Sequence, residues 1–205
     1  MRTMYVDISL PRVLLTRVLG RITRPAYWGP TAILHYVERP APPLPGPRWV
    51  RVRNRLCGIC GTDLHFVLAE GDLRVAPAAL PGNERIYLGH EVVGQVAEVG
   101  EEVTRFQVGE RVVLQHAFAN CLTRELSSPC RHCMGGEVNL CEGPRAGGVM
   151  PIGGGWGDEM VVHQSQLFPV PEEMSDEEAV MIEPTAVAVR SVLRRLPEPG
   201  NRVLV

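Results

Sequence analysis

The sequence has 205 residues, 45% of them hydrophobic, which is enough for one full core and part of a second. Net charge is -2 with the arginines scattered, so composition gives no sign of a nucleic-acid partner, and no apolar run reaches the roughly eighteen residues that span a bilayer. All 21 basic residues are arginine, which rules out a Schiff-base lysine, a phosphate-loop lysine and a Tyr-Lys catalytic pair within this chain.

Glycine (21) and proline (18) are dense enough to favour short strands joined by turns over a helical bundle. The expected class is therefore mainly β, of the α+β kind. The N-terminus has no clear signal-peptide core, and the expected compartment is the cytoplasm. In a cytosolic chain of this size, clustered cysteines point to metal rather than disulfides. The six stand at 57, 60, 121, 130, 133 and 141.

In chain order, residues 1–40 read as an irregular wrap over the core. The proline-rich run at 40–47 reads as an extended lead-in. Residues 49–53 alternate apolar and polar, the signature of a half-buried strand. Residues 64–70 predict a short helix ending at Gly71, and 71–87 a loop. Residues 91–99 predict a strand with a bulge or close approach at Gly94. A further strand is expected at 109–114, then a long loop over 117–150 that needs its own staple. Gly153-Gly-Gly-Trp-Gly157 reads as a flexible turn into a strand at 159–163, with another strand at 166–170. Ser175-Asp-Glu-Glu178 is a capping box. Pro184 interrupts that helix or opens a second one running to about residue 196. Residues 197–200 form a break before the start of a buried strand at 202–205.

The chemistry concentrates in Cys57-Gly-Ile-Cys60-Gly-Thr62-Asp63-Leu-His65 and Gly89-His90-Glu91. An open zinc site takes three protein ligands and leaves a fourth position for substrate or water. Cys60 and His90 are the first two candidates; the third is Glu91 or Glu183. Neighbouring strand residues point to opposite faces, so His90 and Glu91 can share an ion only if His90 sits at a turn, which Gly89 permits. One thiolate with two carboxylates would leave the zinc site negative and weaken its pull on a substrate oxygen, so one glutamate is expected on the metal. Thr62 is placed to take a proton from an alcohol, His65 to carry it to the surface, and Asp63 to orient His90. Taken singly, Cys60 reads as a buried apolar side chain, His65 as a surface residue and Thr62 as a turn former. A redox CxxC lacks the strand-to-helix pattern it needs.

These two runs, together with Val-Gly100-Glu-Glu-Val, resemble the zinc-dependent medium-chain alcohol and polyol dehydrogenases from about residue 40 onward. The resemblance implies a GroES-like β-barrel over 41–174, with a zinc-stapled lobe at 117–145. Residues 175–205 would then be a helical connection into the first strand of a Rossmann domain. It assigns catalytic zinc to Cys60 and His90 with Glu91 near or bound, proton relay to Thr62 and His65, and metal binding to Glu183 through Glu183-Pro184, direct or by water. It further implies NAD or NADP as cofactor, an alcohol, polyol or sugar as substrate, and a homo-oligomer; the lack of a spanning run and the scattered arginines give the expectation of no membrane or nucleic-acid partner. The glycine loop expected after residue 205 does not occur, so the chain is expected to be an inactive fragment. The alternative is a zinc-stabilised binding module that kept the barrel and lost the chemistry.

Cys130, Cys133 and Cys141 match three of the four cysteines in the family's structural zinc lobe. Where the family has a fourth, this chain has Ser127, and Cys121 is the available replacement. Four thiolates would close a tetrahedral site. A zinc ribbon from Cys57/Cys60 and Cys130/Cys133 would span a 69-residue insertion and leave His90 unexplained.

Overall fold

The computed structural model describes residues 1–70, 85–115, 119–143, 152–194 and 196–202. Two antiparallel sheets carry most of it. The larger is built on β3 (Trp49–Cys57), flanked by β5 (Val92–Val99) and β7 (Glu159–His163). β6 (Arg111–Leu114) and β8 (Leu167–Pro169) complete the order β7-β3-β5-β6-β8. The period-2 signal at residue 49 has its physical counterpart here: Val50 and Val52 are buried while Arg53 is exposed. On the same face, Val92, Val96, Val112, Leu114, Met160 and Val162 form the main core. The opposite face buries Val93 and Val113 beneath Ala179.

Gly94 is the close approach its position suggested. It pairs with Asn54 where the β3–β5 register shifts, and a Cβ there would overlap Val52. The strands expected at 49–53, 91–99, 109–114 and 166–170 all form, with ends moved by a few residues; 159–163 forms as expected.

The expectation of an irregular segment over 1–40 is corrected. Arg2–Asp7 is β1, Leu10–Gly20 is helix α1 and Leu34–Glu38 is β2. β1 pairs with β2 and with β4 (Arg85–Tyr87) in a second, three-stranded sheet. Val6, Val13, Ile33 and Leu88 are its core. The tertiary pairing of β1 with residues more than 25 positions away supplies the order that local sequence lacked.

Helix α2 (Gly61–Val67) follows β3 and begins three residues before the expected start. Between residues 119 and 143 the chain makes only two short helical turns, α3 (Arg131–Met134) and a 3₁₀ turn at Val138–Leu140. The capping box forms as read: Glu178 N donates to Ser175 Oγ (3.2 Å) and Ser175 N to Glu178 Oε2 (2.9 Å). It opens α4 (Asp176–Ala179). Pro184 sits in the first turn of a second helix, α5 (Ile182–Arg194), where its missing N–H costs no hydrogen bond. Residues 203–205 of the expected strand and parts of the loops at 71–87 and 117–150 lie outside the described residues. Among the described residues, no helix is long and apolar enough to cross a membrane.

Candidate metal centres

Cys60 is the residue on which β3 turns into α2. Its backbone is extended, and its Sγ accepts a hydrogen bond from Thr62 N (3.2 Å), so it caps the helix. Cysteine is not a usual cap, which is why the helix start was not evident from sequence. Asp63 completes the cap from the third helical position: its Oδ2 accepts from Cys60 N at 3.2 Å. Its other oxygen accepts from Gly89 N (3.0 Å) and lies 3.7 Å from His90 Nδ1.

One buried carboxylate thus ties together the two segments that carry the donors. Burial pushes the Asp63 carboxyl up, but the nearby His90 imidazole and the hydrogen bonds from Gly89 and Cys60 outweigh it and hold the group below its ordinary value. Reciprocally, the Asp63 carboxylate beside it raises the His90 imidazole against the effect of its own burial. Asp63 thus stands on the Nδ1 side of His90, the place the sequence reading gave it.

His90 Nε2 faces Cys60 Sγ at 3.2 Å. Gly89 has φ +83°, a turn conformation that glycine adopts without strain. That turn lets the adjacent side chains of His90 and Glu91 converge, and donor atoms of Cys60, His90 and Glu91 lie within 4.8 Å of one another. Glu183 is not part of this group of three. Its carboxyl is raised by burial, offset by His90, and raised further by Glu91, so it stands within electrostatic reach. Thr62 lies exposed in the first turn of α2. His65 lies one turn further on, two-thirds exposed, with Nδ1 3.1 Å from Glu70 Oε2.

Cys57 takes no part in this cluster. Burial, reinforced by the negative groups around it, pushes its thiol up to about 12, and Sγ donates to Gly58 O at 3.2 Å. It stays a packed thiol.

Four further residues, Gly58, Gly155, Trp156 and Asn54, were not assigned to the site from sequence. A Cβ at Gly58 would overlap the Glu91 carboxylate, so glycine there is what makes room for that donor. Gly155 N donates to Gly89 O (2.8 Å), and Trp156 Nε1 to Gly58 O (3.2 Å). The stretch read as a flexible turn is therefore a brace across both donor segments, held further by Asn54 Nδ2 on the carbonyls of Gly154 and Gly157. The glycine density with a lone tryptophan was the visible signal; only the tertiary pairing shows its use.

The second cluster joins Cys121, Cys130, Cys133 and Cys141, whose sulfurs lie within 4.8 Å of one another. Cys121 and Cys141 are 3.6 Å apart. Tetrahedral thiolates at the usual zinc–sulfur length stand about 3.8 Å apart, so these residues fit a zinc ion. Backbone amides of Glu142 and Cys133 draw the Cys130 thiol down to about 6, whereas burial pushes Cys133 up to about 12. Cys121, the replacement the sequence offered for the missing fourth cysteine, lies in this group. The ribbon pairing of Cys57/Cys60 with Cys130/Cys133 does not occur: Cys60 gathers with His90 and Glu91 instead.

Comparison with known proteins agrees with this layout. The family model described as the alcohol dehydrogenase GroES-like domain matches residues 46–172. A sorbitol dehydrogenase from Arabidopsis thaliana is 37% identical over 164 residues, covering 80% of this chain and 42% of that protein. An (R,R)-butanediol dehydrogenase from Bacillus subtilis is 34% identical over 174 residues, covering 82% and 46%. Among solved structures, a Sinorhizobium meliloti protein described as a zinc-binding dehydrogenase bound to NADP superposes with a TM-score of 0.56 at 30% identity, covering 78% of this chain and 41% of that one. The chain spans less than half the length of these relatives. From the matched domain and the fold that carries it, the chain belongs to the alcohol dehydrogenase GroES-like family of the medium-chain dehydrogenases.

Proposed function

We propose that the chain is the catalytic domain of a zinc- and NAD(P)-dependent dehydrogenase acting on a polyol, sugar or related alcohol. The observation that carries the reading is the convergence of Cys60, His90 and Glu91 within 4.8 Å at the start of the helix that holds Thr62 and His65. Three donors of mixed type leave a tetrahedral ion one free position, the arrangement of a catalytic site. When bound, zinc supplies Lewis-acid polarisation of an alcohol or carbonyl oxygen.

In this reading Cys60, His90 and Glu91 hold the metal, with Glu183 beside them as the alternate carboxylate. Asp63 fixes the imidazole. The Thr62 hydroxyl accepts the substrate proton and His65, at the surface, delivers it to water. The four-cysteine lobe holds a second, structural zinc. A nicotinamide cofactor, NAD or NADP, would supply the hydride acceptor when bound. The sorbitol and butanediol relatives support a polyhydroxy or secondary alcohol as substrate. Six unpaired thiols suit the reducing cytoplasm, where we place the protein.

Cobalt(II) in place of zinc makes the open position visible. The visible d–d bands of the cobalt-loaded chain should shift when sorbitol or 2,3-butanediol is added, and Cys60→Ser should abolish the shift. Spectra indifferent to every alcohol would contradict an alcohol-binding metal site.

A further inference from the structure

Helix α1 docks by a narrow face and leaves its apolar side outward. Val13 and Thr16 are buried, Thr16 Oγ1 donates to Thr31 O, and Arg12 is fixed by Asp7 (3.4 Å) and Ala32 O. Leu10, Leu14 and Val18, spaced four apart, line up along the opposite side and are 51–59% exposed. Leu15 borders them, and Ile22 (78%) and Trp28 (62%) continue the exposed apolar surface beyond the helix. Water is a poor cover for so many adjoining apolar side chains.

The charge around them is one-sided. Residues 8–33 contain four arginines and no aspartate or glutamate, in a protein whose net charge is -2. Arg12 is occupied by Asp7, but Arg17, Arg21 and Arg24 are exposed and form no ion pair among the described residues. Arg17 and Arg21 flank the Leu10–Leu14–Val18 line at helical spacing.

We propose that this face docks on an anionic lipid bilayer surface. The leucine and valine tips enter the boundary between headgroups and acyl chains, and the guanidinium groups reach the lipid phosphates. The expectation of no membrane partner rested on the lack of a spanning segment, and a helix lying in the interface needs none. A second copy of the chain fits less well, because a two-fold contact through this face would bring the two arginine sets together. The inference is independent of the dehydrogenase reading, since it uses none of the metal-site residues.

The test is co-sedimentation of the 205-residue chain with vesicles of phosphatidylcholine alone and of phosphatidylcholine with about one-third phosphatidylglycerol. At low salt the anionic vesicles should bind at least about tenfold more protein, and high salt should release it. Trp28 emission should shift to the blue on binding, a signal lost in Trp28→Phe. Leu14→Glu/Val18→Glu and, separately, Arg17→Glu/Arg21→Glu should each abolish binding while circular dichroism and zinc content stay unchanged. Binding equal on both vesicle types, or absent from both, overturns the proposal. A concentration-dependent dimer that is broken by Leu14→Glu, with no vesicle binding, would assign the face to a second copy instead.

Discussion

Cys60, His90 and Glu91 meet where the barrel's own elements converge, whereas Cys121, Cys130, Cys133 and Cys141 meet in a lobe with almost no regular structure. The mixed cluster is framed from outside. Asp63 bonds both donor segments, and the 153–157 brace crosses them from the other side. The lobe is held mainly from within: Asn120 Oδ1 accepts from Leu122 N and Thr123 N, and the apolar cluster consists of the four cysteines themselves with Val138 and Leu122. A site whose geometry is built by the protein can leave a metal position open for chemistry. A site whose geometry is built by the metal spends all four donors on structure.

The comparison breaks most visibly at the lobe. Cys133→Ser removes a buried thiol from the centre of that cluster. Structural zinc in small domains contributes apparent binding free energies of about 10–16 kcal/mol, and most of that would be forfeited locally. The chain should lose one zinc, and amides of residues 119–143 should exchange rapidly while those of β3 and β5 stay protected. Undiminished protection in the lobe would mean that it does not depend on metal.

At the mixed site the expected effect is smaller, because the frame persists when one strut is weakened. Asp63→Asn keeps the shape but removes the charge that orients His90. Zinc affinity there should fall about 10–100-fold, as for other carboxylates behind a ligand histidine. Competition with a chromogenic chelator measures it, with the lobe zinc as internal reference. Equal affinities in wild type and variant would deny Asp63 its positioning role.

Much of both sites was legible in the sequence because the spacing of the donors carries a family resemblance, which supplied the metal reading and the four-cysteine lobe. Cys60 and His90 could be paired on paper with Glu91 or Glu183 as the third donor, and Gly89, with φ +83°, makes the turn its identity permits. The strand expected at 49–53 from alternation forms within Trp49–Cys57, and the one expected after the glycine turn forms over Glu159–His163. The N-terminal sheet was not legible, since β1 and β2 are separated by a helix and gain their order from pairing with each other. Nor was the start of α2, where a metal-type cysteine doubles as the helix cap. The glycines at 58 and 155 mattered through what they leave room for, which no local pattern records.

The central claim, two metal sites of different kind in one chain, is tested most directly by counting zinc in the purified protein and in Cys60→Ser. The account predicts two zinc ions per wild-type chain and one in the variant, with the lobe amides of Cys60→Ser still protected. A single zinc in the wild type, unchanged by Cys60→Ser, would contradict it.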